Sequence, residues 1–464
     1  MKLIYNVKDK PKFDQTIVFA IQQVLAIMAA TIAVPASVGN GMSSAEALFG
    51  AGMGTLVYQL FTGFKSPVFL GSSFAFIPSM LAAFGGAASM QIGYAGLIIG
   101  ACLAALVYVI LAIIVKVAGV KWIDKIMPPI VIGPTVAIIG LSLSSYAVSL
   151  MTSSLGTSLA PSDTSTNIAI LCALVTVAVV VLCSVFGKKM ARLVPFIIGI
   201  LAGYALGIIL TVIGNATGND ALKVIDFTPF KNLFGNGITL KSFLSVPEFV
   251  FLKAADGWSG ITGSYIATLI AAFVPASFVT FSEHLADHKN LSSIIEKDLL
   301  KDPGLSRSLL GDGLGSAVGA FFGGCENTTY GESIGCVAIT KNASIVSITT
   351  AAVICAIIAF ISPFVAFLET IPSCVMGGVC LTLYGFIAVS GLKMIQHVDF
   401  NENKNLFVVC IILISGIGGL SLTFGNITIT NVACALILGV LTNAILSKKP
   451  DTPAGEEKAQ QIMK

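Results

Sequence analysis

Residues 326–342 read ENTTYGESIGCVAITKN, a polar, glycine-containing interruption in a chain that is otherwise nearly continuous hydrocarbon. Within a membrane such a stretch cannot be a plain spanning helix, because exposed backbone N–H and C=O groups find no water to bond. Irregular backbone is tolerated where it lines a cavity inside the protein, as at the binding sites of secondary transporters. The run Thr328, Thr329, Tyr330, Gly331 is expected to be extended, with a short helix starting near Glu332. That gathers backbone donors and an acidic side chain at one point, and reads as half of a substrate site.

The surroundings support a membrane setting. Of 464 residues, 56% are hydrophobic and 11% charged, and the mean hydropathy is +0.94. An ordinary soluble domain is about a quarter charged, so the chain reads as a polytopic membrane protein. Several apolar runs reach the roughly 20 residues that span the hydrocarbon. The net charge of +3 is small and calls for no nucleic-acid partner. Residues 1–14, rich in lysine, are expected to be a cytoplasmic lead-in rather than a cleavable leader. The ten cysteines stand singly in apolar runs and are expected to be buried and inert. No metal site is expected from three histidines so spaced, and no cofactor is called for.

Spans are expected at 15–37, 44–63, 91–118, 126–150, 167–186 and 194–214, with a shorter, broken one at 67–87. After a mixed-charge segment, 215–260, they resume at 261–286, 306–324, 343–368, 371–392, 405–423 and 426–447, with the broken stretch at 326–341. Seven plus seven segments make an all-α fold of fourteen transmembrane segments. With the N-terminus inside, Lys65, Lys116, Lys121, Lys125, Lys188, Lys189, Arg192, Lys289, Lys393, Lys448 and Lys449 all fall on the cytoplasmic side. Both termini are therefore expected in the cytoplasm, and 448–464 is a cytoplasmic tail. An odd number of spans per half inverts one repeat against the other, and each half carries its Gly/Pro-interrupted element in third position. Such a pair is the best sequence pointer to a transporter site.

Acids inside spans cost about 2.5–3.5 kcal/mol each on insertion scales and are functional candidates. Glu283 lies in an apolar run with Asp287 one helical turn on; Asp312 is flanked by Gly311 and Gly313; Glu332 opens the second half-helix. The plainer readings are a backbone-bonded acid for Glu283, a solvated or capping role for Asp287 and Asp312, and a helix cap for Glu332. His284 points about 100° away from Glu283 and reads as a packing or hydrogen-bonding residue; His288 and His397 read as loop residues. Phe74 and Phe76 flank the first break. Two facing half-helix N-termini would aim free N–H groups at one midplane point. Such a site suits a flat ligand whose carbonyls meet backbone N–H groups and whose ring N–H groups meet carboxylates.

From about residue 15 to 446 the chain resembles the nucleobase–ascorbate transporter family, and within it the bacterial uracil permeases. The resemblance rests on QQVLAIMAATIAVP at 22–35, LGSSFAF at 70–76, Ser282-Glu283-His284, KDLLKDPGLSRS at 297–308 and NTTYGESIGCVAIT at 327–340. It implies two inverted repeats with a short strand and a half-helix in segments 3 and 10. It implies a core domain of residues 15–118 and 261–368, and a gate domain of 119–214 and 369–447, joined by 215–260. It also implies a homodimer in the cytoplasmic membrane and an elevator-like shift of core against gate. Uracil would be held by the carboxylates of Glu283 and Glu332 and by the main-chain N–H groups of Phe74 and Gly331, with Ala30 and Tyr330 lining the pocket.

The chain departs from the family pattern at Ser333, where the signature has Asn, and at Gln23, where uracil carriers usually have His. Asp287 and Asp312 look instead like the xanthine and urate carriers, which however have Gln at 332. Glu332 would face the ligand ring directly, so uracil leads, with xanthine or uric acid as the alternative. The expected mechanism is proton symport, with the proton on Glu283 and Asp287 or Asp312 as relay. An anion transporter of similar architecture is the rival from another class, since half-helix dipoles also attract anions; a fixed carboxylate at 332 argues against it. No nucleophile–base–metal set points to an enzyme.

Overall fold

The computed structural model describes residues 3–120, 122, 127–153, 163–188, 190–235, 237–424 and 427–447. The expected tail at 448–464 lies outside them, as do Lys121, Lys125 and Lys189. The first half runs α1 (Phe13–Val38), α2 (Ser44–Thr62), β1 (Leu70–Ser72), a 3-10 turn at Phe74–Phe76, α3 (Ile77–Gly85) and α4 (Met90–Ala118). It continues with α5 (Pro129–Ser142), α6 (Ser144–Thr152), α7 (Asp163–Phe186) and α8 (Pro195–Thr217). Short helical turns follow at Asp220–Leu222, Thr228–Phe234, Leu240–Ser242, Val250–Lys253 and Ala255–Gly260. The second half runs α9 (Gly263–Ile295), α10 (Leu305–Gly323), β2 (Asn327–Thr329), α11 (Gly331–Thr340), α12 (Ile345–Ile358) and α13 (Ser362–Glu369). It ends with α14 (Ser373–Met394), α15 (Asn403–Ile417), β3 (Leu422–Phe424), β4 (Ile427–Ile429) and α16 (Asn431–Leu446).

Among the described residues seven helices are long and apolar enough to cross a membrane, and four shorter apolar ones accompany them. The protein is therefore a multi-pass membrane protein. Its outer helices turn apolar side chains outward, as α7 does with Leu171, Leu174, Leu182 and Phe186. Cys102 and Cys410 share that exposed surface, which corrects the expectation that every cysteine is buried.

Several expected spans differ in detail. The span at 126–150 is present as Pro129–Thr152, one of those seven, with a single turn residue, Leu143, between α5 and α6. The span at 343–368 divides into α12 and α13, because Pro363 opens a new helix and the intervening backbone bonds elsewhere. Ser245 donates to the carbonyl of Phe360 and Ser362 to that of Phe243, both at 3.0 Å, so the 215–260 segment fills the gap. The last two spans give up their facing ends to the antiparallel β3–β4 pair. Helix α9 continues past Asp287 to Ile295, which puts His288 in a helix, fully buried, rather than in a loop.

Two packing features position the site. Along α10, Gly311, Gly315, Gly319 and Gly323 recur every fourth residue against α2, with Gly315 on Gly54, Gly319 on Gly50, Gly311 on Tyr58 and Gly323 on Glu46. A side chain on Gly50 would strike the carbonyl oxygen of Gly319, so only hydrogen fits between the two backbones. The second feature is a strap. The amide of Ile4 donates to the carbonyl of Lys341 at 2.8 Å, Ala343 to Tyr5 at 2.9 Å, and Ile345 to Val7 at 3.1 Å. The first residues thus run beside the link between α11 and α12, with Val7 buried against Leu291, Ile295 and Val337.

Candidate functional site

Both interrupted stretches meet at the middle of the fold. Strand β1 pairs antiparallel with β2, with Leu70 opposite Thr329, Gly71 opposite Thr328 and Ser72 opposite Asn327. The ladder continues outward through Tyr330 N–H to Phe69 O at 3.1 Å and Ser73 N–H to Glu326 O at 2.8 Å. Gly71 is required by the close approach of Tyr330: a Cβ there would lie 2.5 Å from the ring. The Tyr330 hydroxyl then reaches over to donate to Ser72 O at 2.6 Å. Beyond the crossing each chain turns into a short helix, α3 on one side and α11 on the other. The sequence reading of each break as strand plus half-helix thus describes what the backbone does.

A cavity of about 420 Å³ opens at this crossing. Its polar wall holds Ser73, Glu283, Asp287, Thr328 and Glu332, with the backbone of Phe74 and Gly331 at the two half-helix starts. The facing wall is apolar, from Val136 and Ile139 of α5, Phe196 of α8 and Leu383, Phe386 and Ile387 of α14. No basic side chain lines it among the described residues. An apolar slot with carboxylates on one side and free helix-start N–H groups beside them accepts a flat polar ligand and disfavours an anion.

The structure brings Glu283, Asp287, Glu332, Phe74, Tyr330 and Gly331 to this cavity. Asp312 and Ala30 are not among its lining residues: both are about 1% exposed, Ala30 within the apolar core. Asp287 accepts from the Thr329 hydroxyl at 2.7 Å, which fixes it against β2. Asp312 lies behind α9, with Oδ2 2.8 Å from His284 Nδ1. Phe74 packs edge-on to Tyr384 of α14 at 5.7 Å between centroids, and the Tyr384 hydroxyl meets Ser37 Oγ at 2.6 Å.

The departures at 23 and 333 prove to be one contact. Gln23 Nε2 donates to Ser333 Oγ at 2.8 Å, and the amide of Phe69 donates to the same oxygen at 3.0 Å. Ser333 thus joins α1, the residue before β1 and the first turn of α11. Sequence reasoning passed over Glu326, which is fully buried with both carboxylate oxygens lacking a partner among the described residues. The signal was its place as the first letter of the interrupted stretch. Ser73 and Thr328, also passed over, line the cavity with their hydroxyl oxygens unpartnered among the described residues.

A family model described as "Permease family" matches residues 14–424. The chain belongs to the nucleobase–ascorbate transporter family. Among curated relatives of this permease, the uracil permease of Bacillus caldolyticus is 35% identical over 97% of this chain and 96% of its own length. The uracil permease of Escherichia coli strain K12 is 33% identical over 94% of this chain and 92% of its own. Among solved structures, the transmembrane domain of a cyanobacterial bicarbonate transporter, BicA, superposes with a TM-score of 0.63, covering 96% of this permease and 99% of that chain. At 14% identity that likeness concerns the fold alone. The family places this permease among transporters.

Proposed function

We propose that the protein is a proton-coupled symporter that carries a nucleobase, uracil foremost, across the cytoplasmic membrane. The observation that carries this reading is the cavity at the β1–β2 crossing, where Glu283 and Glu332 face an apolar slot beside the N–H groups of Phe74 and Gly331. Uracil offers ring N–H donors to the two carboxylates and carbonyl acceptors to the two amides, with Tyr330 beside it and Ala30 contributing packing. The full-length likeness to uracil permeases supports the same choice.

The wider scheme belongs to this proposal. Fourteen segments form two inverted repeats; residues 15–118 and 261–368 make a core that moves like an elevator against a gate of 119–214 and 369–447. The protein acts as a homodimer with both termini in the cytoplasm. A proton on Glu283, with Asp287 or Asp312 as relay, neutralises the site before the loaded core moves, because crossing an apolar barrier is cheaper for a neutral assembly. Xanthine or uric acid is the alternative substrate, favoured by the acids at 287 and 312. An anion such as bicarbonate is disfavoured by the carboxylates of the cavity wall.

The test is uptake of labelled uracil into proteoliposomes under an imposed proton gradient, competed with xanthine, uric acid and thymine. Uptake that collapses with the gradient and resists xanthine is the expected result; replacing Glu332 by Gln should weaken uracil competition at least ~10-fold, as loss of a charged hydrogen bond of about 1.5–3 kcal/mol requires. Uptake of xanthine in preference to uracil would replace the assignment.

A further inference from the structure

Glu326, Thr328 and Tyr330 alternate along one strand of the crossing, so their side chains leave the two-stranded ladder on the same face. From the other strand that face receives their partners in register, Ser73, Gly71 and Phe69. Residues directly opposite in such a ladder have Cβ atoms about 4.5–5.5 Å apart. Glu326 thus stands opposite Ser73, with Thr328 one step along, opposite the bare Gly71. The Tyr330 ring lies over Gly71, and its hydroxyl, bonded to Ser72 O, reaches the Ser73 end of the face. Glu326, Ser73 and Thr328 are 0%, 1% and 2% exposed. Among the described residues both oxygens of Glu326, Ser73 Oγ and Thr328 Oγ1 have no hydrogen-bond partner, and no ion pair reaches Glu326.

We infer that Glu326, Ser73 and Thr328 bind a small monovalent cation, sodium foremost, on the ladder face beside the substrate cavity. Every atom left without a partner on that face is an oxygen, and hard cations are held by carboxylate, hydroxyl and carbonyl oxygens. Four such oxygens are offered, with the phenol oxygen of Tyr330 next to them. One carboxylate carries one negative charge, so a monovalent ion leaves the group neutral, the less costly state inside a membrane. A divalent ion would leave a buried positive charge. Without the cation Glu326 is an unpaired buried group, a cost that the ion removes.

The ion site adjoins the substrate. Ser73 and Thr328 line the cavity, whereas Glu326 is not among its lining residues. A hydroxyl has one proton and two lone pairs. When the lone pairs of Ser73 and Thr328 point at the cation, their O–H bonds point away from it, toward the cavity, where a substrate carbonyl accepts. When the cation leaves, the unpaired Glu326 carboxylate competes for both protons and draws them off the ligand. Cation occupancy thereby sets how many donors the cavity presents. This link to the ligand rests on the reading that a carbonyl-bearing base occupies the cavity; the ion site itself stands without it.

The experiment follows the thermal unfolding midpoint of the purified full chain in detergent, in sodium, potassium or choline chloride at equal ionic strength. Wild type is compared with Glu326→Gln, which keeps the volume and removes the charge. Sodium is expected to raise the wild-type midpoint saturably above its value in choline, potassium to do so less, and neither to move Glu326→Gln. A wild type indifferent to sodium, or an equal rise in Glu326→Gln, overturns the ion site. A rise produced by calcium chloride and not by sodium overturns the monovalent assignment. These readouts need no uracil, so they decide the ion site even if the protein binds no uracil and the substrate reading fails. Binding of labelled uracil tests the link: wild type is expected to bind about fivefold or more tightly in sodium than in choline, and Glu326→Gln equally in both. Equal wild-type affinity in the two salts overturns the link. If Glu326→Gln fails to fold, Ser73→Ala decides. Loss of one ligand is expected to raise the half-saturating sodium concentration about fivefold or more, and an unchanged curve overturns the site.

Discussion

Glu326 shows how much a single buried side chain can ask of its surroundings. It sits just before β2 with no exposed surface, and among the described residues neither carboxylate oxygen has a hydrogen-bond partner. Leaving a buried polar group unpaired costs about 1–3 kcal/mol, and removing it in favour of an apolar side chain of similar volume recovers much of that. Glu326→Met is therefore expected to raise the thermal unfolding midpoint in detergent, by the equivalent of about 1–3 kcal/mol. If uracil uptake falls in the same stabilised variant, the carboxylate is kept for transport rather than for folding. An unchanged or lowered midpoint would mean that the group is satisfied in the membrane. The residue went unread in the sequence because acids were sought inside long apolar runs, whereas Glu326 borders a polar one. The bond from Gln23 to Ser333 was hidden for another reason: partners on α1 and α11 become neighbours only once both interrupted stretches have crossed.

At the level of elements, the glycine row of α10 decides how close two helices come. A Cβ on Gly319 would drive into the side chain of Asn327, whose amide donates to Gly50 O at 3.1 Å. Gly319→Ala should cost about 1–3 kcal/mol as an overpacked substitution. Gly319→Leu should prevent recovery of a monodisperse protein by size-exclusion chromatography. Normal recovery of the leucine variant would show that α2 and α10 can part freely. Elements bounded by strong local signals were legible: the half-helices after 70–76 and 326–331, and the long apolar helices. Those ended by distant partners were not. The end of α12 depends on residues 243–245, and Leu422 to Phe424 reads equally as helix or strand until Ile427–Ile429 lies beside it. Helix α9 was cut short because Asp287 and Lys289 look like an exit from the membrane, although both belong to a helix that runs on to Ile295.

For the whole molecule, the outward apolar surface is the feature that a membrane must cover. Cys102 lies near exposed Leu106, and Cys410 near exposed Phe407 and Ile414. In sealed vesicles neither thiol should react with a charged, membrane-impermeant maleimide, and both should react after denaturation in SDS, as read by mass spectrometry. Labelling of intact vesicles would place those faces in water instead. The inverted arrangement of the halves is expected from the paired breaks and stays a proposal, whereas the membership of a transporter family follows from the full-length match.

The strap at the start of the chain has a consequence in time. Tyr5 and Val7 bond to Ala343 and Ile345, residues that leave the ribosome more than 300 positions later. At about 5–20 residues per second, the first residues wait on the order of tens of seconds for their partners. The segment made first is thus among the last to find its place, and it closes behind the very half-helix that carries Glu332.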